Sequence, residues 1–146
     1  MYSRYLQLNK ETESSLFLFG ARQTGKSTIL RKEFPKSVFI DLLDSELRMR
    51  FKRRPSLLYE MLKDKESNTI VVIDEIPEVP ELLNEVHRLI SEKDIIFVLC
   101  GSSARKLKRK GYNTLGGRAY PCYFYPLTSN EITDFDLDRA LTYGLL

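Results

Sequence analysis

Gly20-Ala21-Arg22-Gln23-Thr24-Gly25-Lys26-Ser27, followed by Thr28, is the stretch of this 146-residue chain that decides its fold. It matches G-x-x-x-x-G-K-[ST], a loop whose glycines let successive backbone N–H groups curl inward around a phosphate chain. A short apolar run, Ser15 to Phe19, precedes it, and Thr24 to Phe34 reads as a helix that Pro35 terminates. Strand, glycine loop and helix start, in that order, make an anion site, because the helix dipole and the exposed N–H groups of the first turn both favour negative charge. Lys26 can then reach the β- and γ-phosphates of a nucleotide, and the Ser27 hydroxyl can ligate Mg2+. Gly20, Arg22, Gln23, Thr24, Gly25, Lys26, Ser27 and Thr28 are the candidate nucleotide-binding residues.

Working outward, Ile70-Val71-Val72-Ile73-Asp74-Glu75 sets two carboxylates after four aliphatic residues. Such a strand buries its body and delivers its C-terminal acids to the crevice where open α/β sheets bind ligands. Asp74 is expected to share a Mg2+ ion with Ser27, and Glu75 to polarise a water for attack on the γ-phosphate. An acid in the second position is what hydrolysis needs. A small-molecule phosphotransferase of the same fold needs no dedicated water activator. The cofactors implied are ATP and Mg2+, with Lys26 and Glu75 as catalytic candidates.

The remaining runs fix the architecture. Ser37–Leu42, Thr69–Ile73, Ile95–Cys100 and Arg118–Tyr125 read as strands; 44–54, 56–65, 80–91 and 103–110 read as helices, the last capped by Gly111. Strands alternating with helices over this length predict a parallel sheet between two helical layers. A strand-like run between the two nucleotide motifs suits the ATPase division that employs a catalytic glutamate. The expected fold is therefore α/β: a P-loop NTPase three-layer sandwich with a five-stranded parallel central sheet in the order 5-1-4-3-2, AAA/RecA-like. Residues 1–126 read as the ATPase core. Beyond Pro126 two short helix-like stretches, 129–135 and 137–143, read as the start of a truncated helical lid or C-terminal domain at residues 127–146.

Two further positions are candidates on placement. Ser102, with Ser103 behind it, follows the strand at Ile95–Cys100, where a polar residue can touch the γ-phosphate or the attacking water; capping the next helix is the competing role. Arg118, in Gly116-Gly117-Arg118, can stabilise phosphoryl charge in its own site or in a neighbour's, or can simply be a solvated arginine.

The segments FGARQTGKST, VVIDEIPEVPELLNEVHRLI, LCGSSARKL and GGRAYPCYFYPLTSNEI together resemble a family of bacterial and archaeal AAA-type ATPases, over roughly residues 14–146. The resemblance implies an ATPase core carrying Lys26, Ser27, Asp74 and Glu75, a sensor serine at Ser102 and an arginine at Arg118. Members pair this core with a C-terminal domain of uncharacterised function, and commonly carry glutamine where Pro77 stands here.

Composition narrows the rest. A formal charge of +3 does not by itself call for a nucleic-acid or membrane partner, and no apolar run is long enough to span a bilayer. Without a secretory signal at the start, and with Cys100 and Cys122 inside apolar runs as small buried hydrophobes, a cytoplasmic setting is expected. A single histidine, His87, cannot complete a metal cluster. Arg48, Arg50, Lys52, Arg53 and Arg54 form one basic cluster, and Arg105, Lys106, Lys108, Arg109 and Lys110 another. They admit a nucleic-acid reading or that of a solvated face, with too few interleaved aromatics for base stacking. The expected function is an ATP-hydrolysing core acting as motor or switch for a C-terminal domain. Partners are the nucleotide and, through Arg118, a second copy. The alternatives are a nucleotide-dependent nucleic-acid-binding module with negligible turnover, or a small-molecule kinase.

Overall fold

The computed structural model describes residues 15–20, 25–102, 105 and 119–123, the last five by their backbone alone. The elements are β1 (Ser15–Phe19), α1 (Lys26–Glu33), β2 (Val38–Asp41), α2 (Ser45–Arg53), α3 (Leu57–Leu62), β3 (Ile70–Asp74), a 3-10 turn (Ile76–Glu78), α4 (Leu82–Lys93), β4 (Ile96–Gly101) and β5 (Ala119–Tyr123). The strands pair in parallel in the order β5-β1-β4-β3-β2. The chain is thus an α/β protein of the P-loop NTPase kind, with the phosphate-loop strand inside the sheet.

β1, β3 and β4 read as continuously apolar because each is buried on both faces. Phe17, Phe19, Ile40, Val71, Ile73, Phe97 and Leu99 face one core, packed with Phe51 of α2, Leu58 and Leu62 of α3, and Leu82, Val86 and Leu89 of α4. The alternate residues Leu16, Leu18, Val72, Val98 and Cys100 face the other core, covered by Leu30 of α1 and by Phe34. Side chains alternate across a strand, so one register serves both layers.

Local signals set the helix ends. The Asp44 carboxylate accepts from the N–H groups of Glu46 at 3.0 Å and Leu47 at 3.2 Å, capping α2. α3 is shorter than the spacing predicts, stopping at Leu62 rather than reaching Lys65. The chain then turns through Asn68, at φ 64°, whose N–H donates to the Asp94 carbonyl at 2.9 Å. A surface clasp joins α3 to α4: the Arg88 guanidinium lies 3.7 Å from the Tyr59 ring centroid, and the Tyr59 hydroxyl donates to Glu92 at 3.0 Å. That bond lifts the Tyr59 phenol above its usual range and lowers the Glu92 carboxyl.

Phe51 is fully buried at the centre of the larger core. Phe51→Ala should cost about 3–5 kcal/mol of unfolding free energy. Met49, two residues earlier and 52% exposed, should change stability by no more than about 0.5 kcal/mol as Met49→Ala. Urea titration of both variants checks the contrast.

Candidate functional site

Charged side chains almost never go fully inside unless something holds them there. Among the described residues three do: Lys26 at 6% exposure, Asp74 at 4% and Glu75 at 6%. They come from segments far apart in the chain and meet at the carboxyl ends of β1 and β3. The fully buried Cys100, at the end of β4, registers all three. Burial chiefly pushes its thiol up and out of the ordinary range; Asp74 and Glu75 push the same way and Lys26 opposes them. Cys100 therefore marks the floor of the site as a protonated thiol hydrogen-bonded to Asp74.

Each member is placed by its element. Gly25 caps α1 from a left-handed conformation, φ 85° and ψ 18°. A Cβ at Gly25 would meet nothing within 4 Å, so glycine serves there by its backbone freedom and not by lack of room. The first intrahelical bond runs from the Ile29 N–H to the Gly25 carbonyl at 3.0 Å. The N–H groups at the very start of α1 thus lack intrahelical acceptors. The Lys26 ammonium, at the first helical position, donates to the Gly20 carbonyl at 2.6 Å, folding the side chain back across the mouth of the loop. Ser27, half-buried on the next position, donates its hydroxyl to Asp74 Oδ2 at 2.5 Å. Thr28 is exposed on the same turn.

Asp74 closes β3, in register with Asp41 of β2. Asp41 accepts from the Leu43 N–H at 2.9 Å and so shapes the turn leaving its own strand. Glu75 follows in the left-handed region at φ 57° and ψ 48°. Asn68 and Asp94 also have positive φ, but short polar residues tolerate it; a glutamate there carries strain of about 1–2 kcal/mol. Residues held this way cluster at functional sites. The reversal tips Glu75 off the strand axis and into the 3-10 turn, where its carbonyl accepts from the Glu78 N–H at 3.0 Å.

The structure thus brings Gly20, Gly25, Lys26, Ser27, Asp74 and Glu75 together, with the half-buried Ser102 directly after β4. Arg22, Gln23, Thr24 and Arg118 lie outside the described residues, as do the stretch at 127–146 and the second basic cluster except for the exposed Arg105. The first basic cluster divides. Arg48 donates to the Leu42 carbonyl at 3.4 Å and Arg54 pairs with Glu60, leaving Arg50, Lys52 and Arg53 exposed on α2.

Sequence reasoning passed over Cys100, Pro77 and Gly101 as members of this region. Their signal was position alone, within three residues of a strand's carboxyl end. A serine hydroxyl and a carboxylate in direct contact are hard oxygen donors suited to Mg2+. Beside them, a buried ammonium and helix N–H groups suit a polyphosphate.

Because Glu75 is held in a conformation that glycine adopts without strain, Glu75→Gly should leave the unfolding free energy unchanged or raise it by up to about 1 kcal/mol. A loss of several kcal/mol in urea titration would show that the left-handed turn carries no strain.

A family model described as an AAA domain matches residues 12–133. Among curated proteins nothing matches. One similar solved structure is that of PCH-2 from C. elegans, with a TM-score of 0.50 and 18% identity, covering 78% of this chain and 35% of that one. At that identity the likeness is one of fold, and the chain spans about a third of the length of that protein.

Proposed function

Because the chain belongs to the AAA domain family, whose model covers residues 12–133, we propose that its P-loop core binds Mg-ATP at the carboxyl edge of the sheet and hydrolyses it. The observation that carries this reading is the burial of Lys26, Asp74 and Glu75 around one point, with Ser27 in contact with Asp74. Nothing in the packing of an α/β sandwich requires three buried charges there. A bound triphosphate and its cation do.

In this reading Lys26 exchanges its Gly20 carbonyl for β- and γ-phosphate oxygens, and the N–H groups at the head of α1 bind the same chain. Ser27 and Asp74 hold Mg2+, which offsets phosphate charge when bound. Glu75 orients a water in line with the γ-phosphorus and accepts its proton. The water oxygen bonds to that phosphorus as the bond to the β–γ bridging oxygen breaks, leaving ADP and phosphate. Ser102, at the end of β4, contacts the γ-phosphate or the water, and Arg118 stabilises phosphoryl charge in its own site or in that of a second copy.

Turnover then drives a motor or switch movement of whatever accompanies the core, with residues 127–146 as the start of that helical region. The two other readings have thinner support. Exposed Arg50, Lys52 and Arg53 suit a nucleic-acid backbone, but no aromatic platform accompanies them. A small-molecule kinase has no use for a strained, buried Glu75.

Two substitutions test the site by different routes. Lys26→Ala should weaken ATP binding by roughly thirtyfold or more in calorimetry, the worth of a charge-assisted contact of about 2 kcal/mol. Glu75→Gln should bind Mg-ATP within about threefold of the parent and release phosphate about a hundredfold more slowly. Undiminished affinity in the first, or parental turnover in the second, would refute the assignment.

A further inference from the structure

Gly101 touches two of the segments that build the site, the end of β1 and the turn after β3. Its carbonyl accepts the Gly20 N–H at 3.2 Å, where β1 gives way to the phosphate loop. The Gly20 carbonyl in turn accepts the Lys26 ammonium at 2.6 Å. On its other side, a Cβ built on Gly101 would lie 3.0 Å from both Cγ and Cδ of Pro77, the buried proline in the turn after Glu75. Carbon atoms in good contact sit at about 3.5–4.0 Å. The proline ring therefore rests against the β4 backbone in space that any side chain would fill. Ser102 is the next residue.

This contact matters for Glu75. A left-handed glutamate persists only where its surroundings over-determine it. Here the 3-10 turn is closed by the Glu78 N–H on the Glu75 carbonyl and the Val79 N–H on the Ile76 carbonyl, both at 3.0 Å. Pro77 stiffens the turn through its ring-fixed φ. Those local bonds set the shape of the turn, while its height above the sheet is set where Pro77 meets β4.

We propose that Gly101 is a positioning residue for ATP hydrolysis: by lacking a side chain it seats Pro77 on β4, fixing the Glu75 turn relative to the phosphate loop that its own carbonyl holds at Gly20. A methyl group at residue 101 lifts Pro77 by a few tenths of an ångström and turns Glu75 away from the line of attack. Lys26, Ser27 and Asp74 stay where they are. The assignment rests on the hydrolysis reading above.

The test measures steady-state hydrolysis, ATP affinity by calorimetry and thermal melting on the full 146-residue chain and its variants Gly101→Ala, Pro77→Ala, the double variant and Glu75→Gln. Gly101→Ala should lose about tenfold or more in kcat while ATP affinity stays within about threefold. Pro77→Ala, which deletes the colliding atoms, should lose about threefold. The double variant should return to the Pro77→Ala level, because the two residues act through one contact. Parental kcat in Gly101→Ala, or a double variant worse than Gly101→Ala, would overturn the assignment. If Gly101→Ala fails to fold, Pro77→Ala decides: reduced kcat at retained affinity supports the role and parental kcat rejects it. A parent without turnover, or a Glu75→Gln variant as fast as the parent, sinks the hydrolysis reading and the positioning role together. An inactive Glu75→Gln beside a fully active Gly101→Ala sinks the positioning role alone.

Discussion

The hydrogen bond between Ser27 and Asp74 joins segments that the sheet keeps apart. Ser27 belongs to the helix after β1, Asp74 ends β3, and β4 runs between those two strands. The bond therefore arches over the end of β4, and whatever stands there must be small or apolar enough to pass beneath it. Cys100 and Gly101 meet that condition, one as a protonated thiol and the other with no side chain. A side chain at residue 101 would press on Pro77 and leave the Ser27–Asp74 bond untouched.

The same arch explains how the chain tolerates its buried charges. Lys26, Asp74 and Glu75 would each be costly to desolvate alone. Together they place an ammonium near two carboxylates, over strand ends that expose backbone carbonyls and beside a helix start that exposes N–H groups. Lys26 is satisfied at the Gly20 carbonyl and Asp74 at the Ser27 hydroxyl, both of which a ligand can displace. Strain and buried charge thus coincide at the point of proposed chemistry, where local rules of folding are most often broken.

Much of this could be read from the chain because its signals are local. Four aliphatics before Asp74 mark a strand buried on both faces, and the glycine-lysine-serine run marks the loop and the helix it opens. Asp44 announces the start of α2 by its side chain. What escaped reading depends on contacts between distant segments. Nothing near Glu75 announces a left-handed backbone, since Pro77 restrains its own φ and not that of a residue two positions earlier. The demand for glycine at residue 101 exists only once Pro77 has been brought against it from another strand's end. α3 stops at Leu62 because the chain must turn back to reach β3, a tertiary need that overrides good helix formers at Lys63 and Lys65.

The sheet order also dictates a schedule. β1 is made first among the described strands, yet its neighbours are β4 and β5; the Ser15 hydroxyl waits for the Phe97 N–H, 82 residues later. During synthesis β2 and β3 can pair as soon as both have left the ribosome, whereas the strand supporting the phosphate loop stays a solitary apolar segment until β4 arrives between it and β3. Such distant pairing makes the centre of the sheet slow to form and exposes β1 to mispairing meanwhile. The two strand ends that carry the site, those of β1 and β3, become neighbours across the sheet only once β4 lies between them.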